Sequence, residues 1–147
     1  MLTDYLAAEG LIVERLRAQV PGVSPRNVLT AADLAGVQAR AQHTPALHVI
    51  YDGDEPAGPA GQDEFGATQM AQQRWLVVVA VRSAADTVGG VGARQAAGPL
   101  LVDAINALAG HRLGPDHGPL VRASAPRPLF DAGYAYFPQL YRCVVVV

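Results

Sequence analysis

No lysine occurs anywhere in the 147 residues, and all 11 basic side chains are arginine. A nucleotide-binding P-loop needs Gly-Lys-Ser/Thr, so that chemistry is excluded. Gly89-Gly90-Val91-Gly92 is then a flexible turn ahead of a helix, because a dinucleotide fingerprint counted from Gly90 needs glycine or alanine where the chain has Gln95. Cysteine is almost as scarce. The single Cys143 rules out an intrachain disulfide and suits a reducing compartment. It lies in an apolar stretch, where a buried structural thiol is expected. Long apolar runs are missing too. The longest, Trp75 to Val81, is far too short to span a bilayer, so no membrane partner is expected. The opening MLTDYLAAEG carries Asp4 and Glu9 where a secretory leader needs a basic start and an apolar run. Cytoplasmic synthesis is the expectation. Charge is sparse, at 16% of residues with a net of −2, and lacks the dense basic patch of a nucleic-acid binder. Half of the residues are hydrophobic, which predicts folding over disorder, and the length suits one domain with its own core.

What is present is patterned. Leu2, Leu6, Val13, Leu16 and Val20 recur at helical spacing and predict a helix over 2–20, capped by Thr3 or Asp4 and stopped by Pro21-Gly22. Glu14, Arg15 and Arg17 fall largely off that stripe. Val28-Leu29 reads as a short extended piece, and a helical turn is expected from Thr30 to about Arg40. Ala46–Asp52 alternates as a strand. Gly53–Ala67 reads as a long loop with four glycines, two prolines and the carboxylates Asp54, Glu55, Asp63 and Glu64, either mobile or a contact element. Gln69–Ser83 is the clearest strand. Trp75, Val77, Val79 and Val81 face one way and Leu76, Val78 and Ala80 the other, so its middle is covered on both sides. Its polar start, Gln69 to Arg74, is expected to project beyond the core.

After a small-residue loop over 84–92, a helix runs from about Val91 to Ala109 with Leu101, Ile105 and Leu108 inward and Gly110 as its stop. Pro99 either belongs to the first turn of a shorter helix or kinks a longer one. Leu120–Ala125 and Leu129–Ala132 are short strand candidates, and Tyr134–Val147 is a long last strand with a break or bulge expected near Pro138. The order predicts a single α+β domain, a mainly antiparallel sheet with two main helices packed on it. A strand ending Cys143-Val144-Val145-Val146-Val147 must be central in the sheet or be covered at its edge by another subunit.

Catalytic and metal patterns fail on inspection. Asp52-Gly53-Asp54 could open a calcium loop, but positions five, six and twelve are Pro56, Ala57 and Asp63, which lack the required ligands and turn glycine. His43, His48, His111 and His117 form no zinc spacing. His111, Asp116 and His117 share one turn without a recognised pattern. Ser24, Ser83 and Ser124 sit in no nucleophile elbow. No cofactor is implied.

The C-terminal third is the most distinctive segment: Pro126-Arg127-Pro128-Leu129-Phe130-Asp131-Ala132-Gly133-Tyr134-Ala135-Tyr136-Phe137-Pro138, running into an alternating final strand. Together with the opening helix, the Gln-rich start of the 69–83 strand and Ala107-Leu108-Ala109-Gly110, it resembles the tail terminator (tail completion) proteins of long-tailed phages and Mu-like prophages. The resemblance is concentrated at 69–82, 97–110 and 126–142. It implies helices packed on a twisted antiparallel sheet and a homohexameric ring that caps the tail tube, ends its growth and offers a head-joining surface. Its implied partners are further copies of the chain, the tail tube protein and head–tail connector proteins. Its implied location is the host cytoplasm during assembly and then the virion tail. No active site is implied. The resemblance assigns no contact residues, so the candidates are positional: Arg74, Arg82 and Arg94 near element ends, and Asp54, Glu55, Asp63 and Glu64 in the acidic loop. An arginine lining a ring lumen would face non-specific DNA passing through it, and a solvated surface role is the competing reading. Two other functions fit the residues alone: another head–tail joining or small-ligand-binding module, and a small hydrolase built around His111–His117.

Overall fold

The computed structural model describes residues 2–39, 43–57, 69–83 and 89–147. Three helices and six strands run in the order α1 (Ala8–Gln19), β1 (Val28–Ala31), α2 (Leu34–Ala39), β2 (Ala46–Pro56), β3 (Met70–Arg82), α3 (Val91–Leu108), β4 (Val121–Ala123), β5 (Leu129–Asp131) and β6 (Tyr134–Val146). The sheet order is β1-β2-β3-β6-β4, with β5 also paired to β6. β1 and β2 are parallel and every other pair is antiparallel, so the α+β expectation holds.

The alternation along β3 divides the core. Trp75, Val77, Val79 and Val81 pack under α1 and α3, with Ile12, Leu16, Ala104, Leu108 and Tyr141. Leu76, Val78 and Ala80 pack on the other face, with Val37 of α2, Ile50, Tyr136 and Leu140. The strand is apolar on both faces because both faces are covered.

The first helix begins later than its apolar stripe suggests. Asp4 organises a turn instead, its Oδ1 accepting from the N–H of Leu6 at 3.0 Å. Leu6 is exposed and Ile12 takes an inward place. Arg15 and Arg17 are not idle surface charges. Arg15 Nε donates to the carbonyl of Ala107 at 3.0 Å, and Arg17 donates to those of Pro25 and Val28, both at 3.0 Å. Pro21-Gly22 ends the helix where it meets α3: a Cβ on Gly22 would lie 2.7 Å from Leu100 Cδ2, so a larger residue there would make that side chain shift.

The inward face of α3 is largely alanine. Ala93, Ala97, Leu100, Ala104, Ala107 and Leu108 are buried, whereas Leu101 and Ile105 are only partly so. Small side chains let α1 and α3 come together over the sheet. Pro99 sits well inside the continuous helix, on its exposed side, where the carbonyl that loses its partner can meet water.

Two further expectations are corrected. Gly53 to Pro56 belongs to β2, and a bulge shifts the register between Tyr51 and Asp54 with Gly53 at φ 86°. No break occurs at Pro138, since the β3–β6 register runs unbroken from Met70↔Val146 to Arg82↔Tyr134. Gln69 and Val147 exchange both backbone hydrogen bonds. Odd-numbered residues of β6 therefore turn their N–H and C=O toward β3, and even-numbered ones turn away. The N–H that Pro138 lacks falls on the outer side, between the stretch of β6 paired with β5 (Tyr134–Tyr136) and that paired with β4 (Leu140–Arg142).

Candidate functional site

The polar start of β3 does not project from the core. Gln73 is fully buried. Its Nε2 donates to the carbonyl of Tyr5 at 2.6 Å, and its Oε1 accepts from Trp75 Nε1 at 3.1 Å. Gln139 repeats the device on β6, donating to the carbonyl of Leu101 at 3.2 Å and accepting from Tyr141 OH at 2.7 Å. Each glutamine satisfies the aromatic donor two residues on and ties its strand to the α1 or α3 segment above. The buried donors thus keep partners in a low dielectric, where losing one is costly. Burial pushes the Tyr141 phenol up to about 12.

The terminal strand needs no second subunit to cover it. β6 lies between β3 on one side and β5, β4 and the 116–118 turn on the other, where Gly118 N–H donates to Val144 O at 2.7 Å. Cys143 is fully buried there, and burial raises its thiol to about 11, which keeps it protonated and inert. His117 is buried beside it on the bridge to Val145, with neither ring nitrogen hydrogen-bonded among the described residues, and desolvation lowers its pKa. Among the described residues no three His, Cys, Asp or Glu side chains gather closely enough to hold a metal ion. No helix is long and apolar enough to cross a membrane.

The positional candidates separate into two places. Arg74 lies on β3 opposite the bulge, donating from Nε and Nη2 to the carbonyl of Asp52 at 3.3 and 3.0 Å, with the Asp52 carboxylate 3.6 Å away. It therefore fixes the bulge of its own chain. Beside it Asp54 accepts from Tyr5 OH, whose pKa is raised to about 12 by burial and then by this carboxylate. Glu55 is exposed next to it. Arg82 is eight residues further along β3, roughly 27 Å away at strand rise. It borders a groove of about 350 Å³ lined also by Gly22, Pro45, Ala96, Pro99 and Leu100. Arg94 is on the first turn of α3, against Phe130 and the left-handed Gly90. Asp63 and Glu64 lie outside the described residues, as does most of the 53–68 and 84–92 loops.

What spacing did not bring out is the opposite border of the sheet. From Val121 to Gly133 every residue except Ala123 is exposed, and the stretch includes Val121 at 56%, Phe130 at 44% and Leu129 at 36%. Phe130 meets Phe137 edge to face at 6.1 Å, leaving its outer side bare. Arg122 and Arg127 lie on this stretch, and Val121 pairs with the exposed Arg142 of β6. Their sequence separation hides this proximity, which only strand pairing creates.

The buried glutamines of this sheet are spent on its own backbone and aromatic side chains, and its borders carry exposed charge and apolar side chains, which are surfaces open to contact. The family model described as "Phage tail terminator protein" matches residues 1–147, and the chain belongs to that family. It is a structural tail protein. The fold is similar to a chain in the solved structure titled "Virion of native gene transfer agent (GTA) particle", at 15% identity, a TM-score of 0.62, and coverage of 98% of this chain and 100% of that one. None of the curated proteins compared matches the chain.

Proposed function

We propose that this protein ends tail-tube growth by forming a closed ring, a homohexamer, on the finished tube, and that the ring's outer face then receives the head. The observation that carries this reading is the family match over the whole chain, 1–147. Capping a polymer requires no bond chemistry: a ring that matches the tube on one face and offers no tube-like face on the other blocks the next addition. Identical subunits close a ring through one heterologous contact repeated by rotation. The partners on this reading are further copies of the chain, the tail tube protein and the head–tail connector proteins. The protein acts in the host cytoplasm during assembly and then resides in the virion tail. Arg82 and Arg94 are the candidates to face DNA in the lumen. Both are exposed and hold no hydrogen bond or ion pair among the described residues, whereas Arg74 is engaged with Asp52. The test is deletion of the gene from its own particle. Overlong tubes and unjoined heads, both rescued by the protein supplied in trans, are the expected result. Tails of normal length carrying heads would overturn the reading.

A further inference from the structure

The chain is electrically lopsided. Residues 1–73 hold four arginines against nine carboxylates, a net of −5, and residues 74–147 hold seven arginines against four, a net of +3. Among the described residues part of this difference lies at the two borders of the sheet: Asp52, Asp54 and Glu55 on β2, beside the edge strand β1, and Arg122 and Arg142 on β4 and β6 at the other edge.

On the first border β2 outgrows its neighbour. Pairing with β1 stops at Ile50, and among the described residues no strand pairs with the outer side of Tyr51–Pro56. Asp52, Asp54 and Glu55 are exposed there. The Tyr5–Asp54 hydrogen bond anchors the Asp4–Ala7 turn against this strand end, which adds Asp4 and the exposed Leu6. The bulge and Pro56 spoil the backbone edge for strand pairing, so this border can recruit a partner only through side chains. On the second border Arg122, Arg127 and Arg142 are exposed and make no hydrogen bond or ion pair with any described residue, unlike Arg15, Arg17, Arg74 and Arg112, which each hold a backbone carbonyl. By register Val121 and Leu129 share a face with Arg142, and Phe130 shares the α1/α3 face with Arg122, so each side of this edge carries an arginine beside exposed apolar surface.

We infer that the 121–133 border of one copy docks on the Asp52–Glu55 border of a second copy, arginines against carboxylates, with Val121, Leu129 and Phe130 leaving water. The second border keeps an excess of arginine despite Asp131, and the first an excess of carboxylate despite Arg74, so the two are opposite in sign; they lie on opposite edges of one sheet, and the contact is head to tail. Two like borders would meet with equal charge, which disfavours a symmetric dimer. Nucleic acid is the weaker candidate for the second border because three large apolar side chains would gain little against phosphates. This inference rests on the ring reading and supplies its repeated contact.

The test uses the full-length chain with two variants, Arg122→Glu combined with Arg142→Glu, and Glu55→Arg, whose mass is followed by light scattering. Thermal melting close to that of the unaltered chain shows that each variant is folded. The unaltered chain is expected to associate at low salt and to dissociate as salt rises. Each variant alone is expected to fall to the 15.4 kDa monomer. Mixing the two is expected to restore association, since each presents one original and one reversed border to the other. Variants that associate as the unaltered chain does, a mixture that stays monomeric, or an unaltered chain that is monomeric at millimolar concentration and low salt each overturn the proposal. So does loss of binding to tail-tube ends without loss of self-association, which would make this border a tube contact. Overlong tubes after gene deletion, together with charge variants of unchanged mass, would keep the terminator reading and remove this contact.

Discussion

Along β6, Ala135, Phe137, Tyr141, Cys143 and Val145 are buried against α1 and α3, and the strand is paired on both sides. On β4 and β5, hydrogen-bonded to that same strand, Val121, Leu129 and Phe130 stand in water. Adjacent strands of one sheet thus treat apolar side chains in opposite ways. The β3–β6 pair spends its apolar surface on folding, and the 121–133 border withholds it. Substitutions in the pair should therefore register as lost stability, and substitutions in the border as lost association with stability unchanged.

The sharpest break of that contrast is Trp75→Ala, which empties the centre of the pair and should cost ~3–5 kcal/mol in chemical denaturation. Gln73→Leu comes next. It leaves Trp75 Nε1 and the Tyr5 carbonyl without their partner in a buried setting and should cost ~1–3 kcal/mol, with Gln139→Leu behaving alike through Tyr141. A smaller effect is expected from His117. Burial lowers its pKa in the fold below the ordinary 6.5, against the pull of neighbouring Asp116. The unfolded chain then takes up the proton first as pH falls, so stability should drop below that value and be indifferent to this group above it. Denaturation midpoints measured on both sides of that pH, in the original and in His117→Phe, should show the acid sensitivity reduced in the variant. The smallest change in stability is expected at the border, where Val121→Ser should stay within about 0.5 kcal/mol. The same variant should weaken self-association in light scattering. A large stability loss there would erase the distinction between the two regions.

The parts of the fold legible in sequence are those whose signal is local. The two-faced alternation of β3 could be read directly, as could the stop of α3 at Gly110 and the short strands on either side of Pro126 and Pro128. The inward face of α3 was not legible. A search for large apolar side chains selects Leu101 and Ile105, whereas close contact with α1 selects Ala97, Ala104 and Ala107. The continuity of β6 through Pro138 depends on which side of the strand the missing N–H faces, and only the tertiary pairing decides that. The buried Gln73 looks like a surface residue until Trp75 and Tyr5 are placed beside it. The arginines showed a comparable gap. Arg74 stands out as a charge at the end of an apolar run, yet it is bound to Asp52 of its own chain. Arg122, Arg127 and Arg142 carry no sequence signal because only the pairing of β4 with β6 puts them along one edge of the sheet.

Pro138 also acts as punctuation. With no N–H to offer outward between residues 136 and 140, β6 leaves a rung of the outer ladder unmade, and it is at this gap that β4 gives way to β5 through the stretch around Pro126 and Pro128. The spine beneath is indifferent to the length of that joint, because its own hydrogen bonds run to β3. Evolution can therefore lengthen, shorten or re-aim the joint between two fixed pads, and so change what this border recognises, without refolding the molecule.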